Sequence, residues 1–166
     1  MSALERLRNL FLAARGERDR REQPRVGARA GTRVLIVDDS PTIVALLGKL
    51  LRQNGFQTLE AGNAEDGLAL ARGHRPDLIF LDIVLPAMNG FAALRLLRHD
   101  PRTVDIPVIM ISGNAQATEQ FYAQRIGADA FMKKPFSRED VFKNIESLLD
   151  DEKSPRRRAA MLRFAG

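Results

Sequence analysis

Arg33-Val34-Leu35-Ile36-Val37-Asp38-Asp39-Ser40-Pro41 is the stretch from which the rest of the chain can be read. Four consecutive apolar residues, mostly β-branched, leave no polar face, as expected for a strand covered on both sides in a parallel sheet. The run stops on two acids. Ser40 then has the residue type of a helix N-cap and Pro41 that of a first helical position. Ile43, Leu46, Leu47 and Leu50 follow on one helical stripe, and Asn54-Gly55 closes it. An apolar strand, a polar residue at its carboxyl end and a capped helix form one unit.

That unit recurs downstream. Phe56 to Ala61 is a weaker strand, and Asn63 caps a helix running to about Arg72-Gly73. Leu78-Ile79-Phe80-Leu81 is a strand ending on Asp82, followed by a loop to Gly90 and a helix with Phe91, Leu94 and Leu97 inward. Val108-Ile109-Met110-Ile111 ends on Ser112, and the helix after it spans about 115–126, with Phe121, Tyr122 and Ile126 as its expected anchors. Ala130-Phe131-Met132 is the last strand. Ser137 and Asp140 then form a capping-box pattern ahead of Val141, Phe142, Ile145, Leu148 and Leu149. Five such units require right-handed crossovers, so the predicted fold class is doubly wound α/β: a five-stranded parallel sheet with helices on both faces.

In such folds ligands sit outside the carboxyl ends of the strands. Asp38 and Asp39, Asp82, Ser112, and Lys133-Lys134 before Pro135 all fall on that rim. Asp38 or Asp39 alone could be a helix cap, Ser112 a turn residue, and Phe131 a core aromatic. Taken together, three carboxylates without a counter-ion would repel and raise at least one pKa, which a hard divalent cation such as Mg²⁺ relieves. With a cation, an ammonium and a hydroxyl around it, one carboxylate could carry a phosphoryl group. Lys133 reads as a solvated neighbour, and His74 and His99 as surface residues without a role.

The pieces Val37-Asp38-Asp39-Ser40, Leu81-Asp82-Ile83-Val84-Leu85-Pro86-Ala87-Met88-Asn89-Gly90, Ile111-Ser112-Gly113 and Lys133-Lys134-Pro135-Phe136, in this order, resemble the receiver domain of bacterial response regulators. The resemblance covers Arg33 to about Asp150 and implies the flavodoxin-like receiver fold. It implies Asp82 as phosphoacceptor, and Asp38, Asp39, Asp82 and the backbone carbonyl of Val84 as ligands of Mg²⁺. It further implies that Ser112 and Lys134 contact phosphoryl oxygens, that the Lys134-Pro135 bond is cis, and that Phe131 is the switch aromatic. By the same resemblance the chain is a phosphoacceptor that assists its own phosphoryl transfer and hydrolysis, rather than an enzyme acting on other substrates. Val84 and Asn114 occupy positions that flank the attacking water in the family. A branched valine there leads us to expect slow loss of the phosphoryl group.

Two other phosphate- or nucleotide-handling classes fit poorly. A haloacid-dehalogenase-type phosphohydrolase needs an Asp-x-Asp pattern that neither Asp38-Asp39-Ser40 nor Asp82-Ile83-Val84 supplies, and a dinucleotide-binding enzyme needs a Gly-x-Gly-x-x-Gly turn after the first strand. Only residues 151–166 follow the expected domain, so no dedicated DNA-binding module is expected. Output would instead pass by docking of an effector protein on the face made by the helix over 115–126, the last strand and the last helix, or by passing the phosphoryl group onward. The expected upstream partner is a sensor histidine kinase or chemosensory kinase, in chemosensory or type IV pilus (twitching) motility control.

Composition agrees with a globular domain: 45% hydrophobic and 28% charged residues, without cysteine, which excludes disulfides and thiolate metal sites. The net charge of +5 is unevenly spread: residues 33–150 come to −2 while 1–32 carry +4 and 151–166 carry +3. The expected organisation is therefore an amphipathic helix over 1–16, a flexible basic linker over 17–32, the receiver over 33–150 and a basic tail over 151–166. Ser2 and Glu5 make a capping-box pattern, and Leu4, Leu7, Phe11 and Ala14 a short stripe that needs a surface to cover it. That surface would be a protein or, through Arg6, Arg8 and Arg15, an anionic membrane face. No apolar run reaches the ~18 residues of a membrane span. The expected location is the cytoplasm, with recruitment to a membrane-associated complex as the alternative the N-terminal stripe offers.

Overall fold

The computed structural model describes residues 27–113 and 116–158. The helix expected over 1–16, most of the 17–32 linker, Asn114 and residues 159–166 lie outside them. Ten elements alternate: β1 (Arg33–Val37), α1 (Pro41–Gln53), β2 (Gln57–Ala61), α2 (Ala64–His74), β3 (Leu78–Asp82), α3 (Gly90–His99), β4 (Val108–Ser112), α4 (Ala117–Arg125), β5 (Ala130–Lys133) and α5 (Arg138–Glu146). The strands form one parallel sheet in the order β2-β1-β3-β4-β5. The doubly wound α/β fold expected from the strand runs is the fold observed.

Period-2 alternation divides the sheet's side chains between two cores. Leu35, Val37, Ile79, Leu81, Val108 and Met110 face α2, α3 and α4, where Leu68, Leu94, Leu97 and Ala123 meet them. Val34, Ile36, Leu78, Phe80, Ile109 and Ile111 face α1 and α5, against Leu47, Leu51, Val141, Phe142 and Ile145. Because both faces are covered, the central strands carry no polar stripe.

Local chemistry starts the helices where expected. The Ser40 hydroxyl accepts from the Ile43 N–H and Asn63 from the Asp66 N–H at 2.8 Å, while Ser137 and Asp140 close a reciprocal capping box. Asn89, unremarked in the sequence, caps α3 by accepting from the Ala92 N–H at 2.9 Å. Alone among the described helices, α4 has no side-chain cap.

Three expectations need correction. Leu46 is 45% exposed, and α1 instead buries Leu47 and Leu51. Leu46 sits ~100° round the helix from Leu47, so choosing the i, i+4 pair that meets the sheet turns it outward. Phe121 does not anchor α4: it is 64% exposed, and the helix is held by Ala123, half-buried Ile126 and Tyr122, whose ring meets Phe91 of α3 edge-on at 4.9 Å. Finally, packed chain overruns both expected domain edges. Thr32 is buried and Ala28 packs on the α1–α5 core. Residues 150–158 form a strap across the amino ends of the strands, with the Arg29 N–H donating to the Lys153 carbonyl and the Arg156 N–H to that of Leu148.

The strap is fastened by a buried carboxylate. Asp129, just before β5, pairs with Arg98 of α3 at 2.9 Å and with Arg157 at 3.3 Å, and accepts the N–H groups of Val108 and Arg158. Burial, then the nearby charge of Arg157, brings Arg98 down to about 10. Two guanidinium groups thus share one buried anion.

Candidate functional site

Strand register assembles the rim. Val37 pairs with Leu81, so Asp38, one residue on, comes beside Asp82. Asp82 pairs with Ile111, which puts Ser112 one step further along, and Ser112 in turn pairs with Lys133, so Lys134 follows it. The Lys134 N–H donates to the Ser112 carbonyl at 2.8 Å, and the Lys134-Pro135 bond is cis as expected. Behind Asp82 the loop returns so tightly that a Cβ on Gly90 would lie 2.1 Å from the Asp82 carbonyl oxygen, so only glycine fits there.

The side chains meet as the strand ends do. One carboxylate oxygen each from Asp38, Asp39 and Asp82 lies within 4.8 Å of the others, with Asp39 exposed and the other two buried. The Asp38 Oδ1 accepts from the Ser40 N–H at 2.9 Å, which aims Oδ2 at the Lys134 ammonium, 2.8 Å away. Oδ2 is buried and takes no other donor among the described residues. The same ammonium reaches Asp82 at 3.3 Å. Ser112 is buried and donates its hydroxyl to Glu119 Oε2 on α4 at 3.1 Å, a partner that sequence reading did not supply. The only hint was an acid in the first turn of the next helix. Phe131 is half-buried against the α2–α4 core. Val84 is 70% exposed at the rim. Lys133, His74 and His99 are exposed.

Burial, and after it the charge of Asp38, raises the Asp82 carboxyl to about 6 against the pull of Lys134. Burial also opposes the charge on Lys134, but its bonds to Asp38 and Asp82 outweigh that and hold it above the usual lysine range. Three carboxylates around one ammonium, with a buried oxygen lacking any further donor, form a donor set that fits a hard divalent cation.

A pH dependence follows. Asp82 titrates above its unfolded value of 3.8, so its stabilising contribution is complete below about 4 and is lost as pH rises through about 6 in metal-free protein. A cation competes with that proton. The apparent Mg²⁺ dissociation constant is expected to rise roughly tenfold per pH unit below pH 6. Calorimetric titration between pH 5 and 8 checks this, and a flat profile would refute it.

Residues 34–146 match the family described as the response regulator receiver domain. Protein PilH of Pseudomonas aeruginosa is 44% identical over 117 residues, 70% of this chain and 97% of that protein. The transcriptional regulator RpaA of Synechocystis is 38% identical over 117 residues, but there the chain spans about half of the relative's length (48%). Among solved structures, chemotaxis protein CheY4 of Vibrio cholerae superposes with a TM-score of 0.69 at 28% identity, over 72% of this chain and all of that one. A CheY from Borrelia burgdorferi, solved with CheX, BeF₃ and Mg²⁺, also gives 0.69 at 28% identity, over 74% of this chain and 92% of its own. Sheet order, rim chemistry and these likenesses agree: the chain belongs to the response regulator receiver family.

Proposed function

We propose that the chain takes a phosphoryl group from a sensor histidine kinase or chemosensory kinase onto Asp82 and signals by docking an effector protein. The observation that carries this is the Lys134 ammonium shared between Asp38 and Asp82, inside a trio of carboxylates within 4.8 Å of one another. Asp38, Asp39, Asp82 and the backbone carbonyl of Val84 would hold Mg²⁺. When bound, the cation neutralises charge on the transferring group. An Asp82 carboxylate oxygen forms a bond to phosphorus as the bond from phosphorus to the donor's imidazole nitrogen breaks. Lys134 transfers its hydrogen bond from the Asp82 carboxylate to a phosphoryl oxygen, and Ser112 donates to another. Phe131, half-buried beside β4, takes up the volume that Ser112 vacates.

The readout is the face of α4, β5 and α5. Uncapped α4 presents Phe121 to solvent, with Arg125 over its ring at 5.9 Å, and fully buries only Ala123 among its described side chains, which supports reading it as the helix that shifts. Beryllofluoride with Mg²⁺ is expected to change amide exchange in α4 and β5 severalfold and to leave β1 and α1 unchanged. Identical exchange in the two states would sink the proposed route. Similarity to PilH and to a chemotaxis protein favours chemosensory or twitching-motility control, which co-purification with a chemosensory kinase would test. Val84, exposed at the rim, hinders the approach of water, so the phosphorylated aspartate should last minutes or longer. A half-life of seconds in purified protein with Mg²⁺ would contradict this.

A further inference from the structure

We infer that Glu119 is a positioning residue that holds the Ser112 hydroxyl away from the acidic cleft until a phosphoryl group displaces it. This rests on the reading of Asp82 as phosphoacceptor and adds to it the group that opposes the switch. A serine hydroxyl has one proton to donate. Ser112, itself buried, gives it to half-buried Glu119 Oε2 at 3.1 Å, and a bond to a carboxylate is stronger than one between neutral groups. A phosphoryl oxygen on Asp82 needs the same proton, so one bond excludes the other.

Glu119 also ties that choice to a helix. It lies in the first turn of α4, which has no side-chain cap and buries Ala123 alone among the described side chains of its span. The Ser112–Glu119 bond is therefore a principal tie between the start of α4 and the end of β4. Once Ser112 turns to the phosphoryl group, Glu119 is left as an anion without that donor, near a second anion, and the first turn of α4 is released. The shift of α4 and the capture of the phosphoryl group become one equilibrium, with Glu119 weighting the resting side.

The test is the affinity of the full chain for beryllofluoride with Mg²⁺, read by calorimetry. Glu119→Ala is expected to bind about tenfold more tightly than wild type, and Glu119→Gln, which still accepts a hydrogen bond but lacks charge, to fall between them. In the unliganded Glu119→Ala protein, α4 amides should exchange faster than in wild type. In a Ser112→Ala background the gain from Glu119→Ala should vanish. A gain that persists there would mean Glu119 acts through charge alone, and would overturn the assignment. So would an unchanged Glu119→Ala affinity beside normal wild-type binding. No binding by wild type would instead overturn the reading of Asp82, and this inference with it.

Discussion

Asp82→Asn is expected to abolish phosphorylation while leaving the fold intact. The amide matches the carboxylate in size but is a poor nucleophile, so labelling by acetyl phosphate or a kinase should fall by a factor on the order of 10³ or more. The stability change should run the other way. Asp82 is raised to about 6 by burial and by Asp38, so its ionised form costs the metal-free folded state free energy at neutral pH. The neutral amide escapes that cost. Urea melts without divalent metal should show the variant more stable than wild type at pH 8, with the gap closing toward pH 5. Residual base-labile label on the variant would overturn the assignment of Asp82, and a variant less stable at pH 8 would overturn the account of its electrostatics.

Asp129→Ala should be the most damaging single change outside the acidic cleft. It removes the anion that answers Arg98 and Arg157 and strands the N–H groups of Val108 and Arg158. Breaking a buried pair from one side typically costs about 3–5 kcal/mol, because the surviving charge stays desolvated. In a domain of this size that lowers the melting temperature by roughly 10–15 °C. Asp129→Asn keeps an acceptor and should lose less. Removing residues 151–166 should resemble the milder variant, since Arg98 retains Asp129. A loss below about 1 kcal/mol for Asp129→Ala would mean that water answers these charges.

What the sequence disclosed and what it withheld differ in kind. Strand ends were legible because a β-branched run that stops on an acid or hydroxyl is a local signal, and parallel topology carries all such stops to one rim. Asp38, Asp82, Ser112 and Lys134 could therefore be gathered before any coordinates. Helix rotation was not legible: Leu46 and Phe121 share stripes with buried residues, and only packing against the sheet decides which member of a stripe turns inward. Nor was the Asp129 network. Its partners come from 31 residues upstream and 28 downstream, with no periodicity to join them, and Arg157 lies in a segment that reads as a loose basic tail. The Ser112–Glu119 bond depends on how α4 leans, which no pattern in residues 112–126 encodes.

The strap has a consequence for how the chain presents its two ends. The Arg29 N–H donates to the Lys153 carbonyl at 2.9 Å, so the polypeptide enters and leaves the domain near one pole, opposite the acidic cleft. Arg29 at one edge of the domain and Lys153 at the other are thereby pinned side by side, so the two flanks of the fold act as one mechanical unit. Cutting the strap before Lys153 would then loosen the chain around Arg29 without touching a single residue of it.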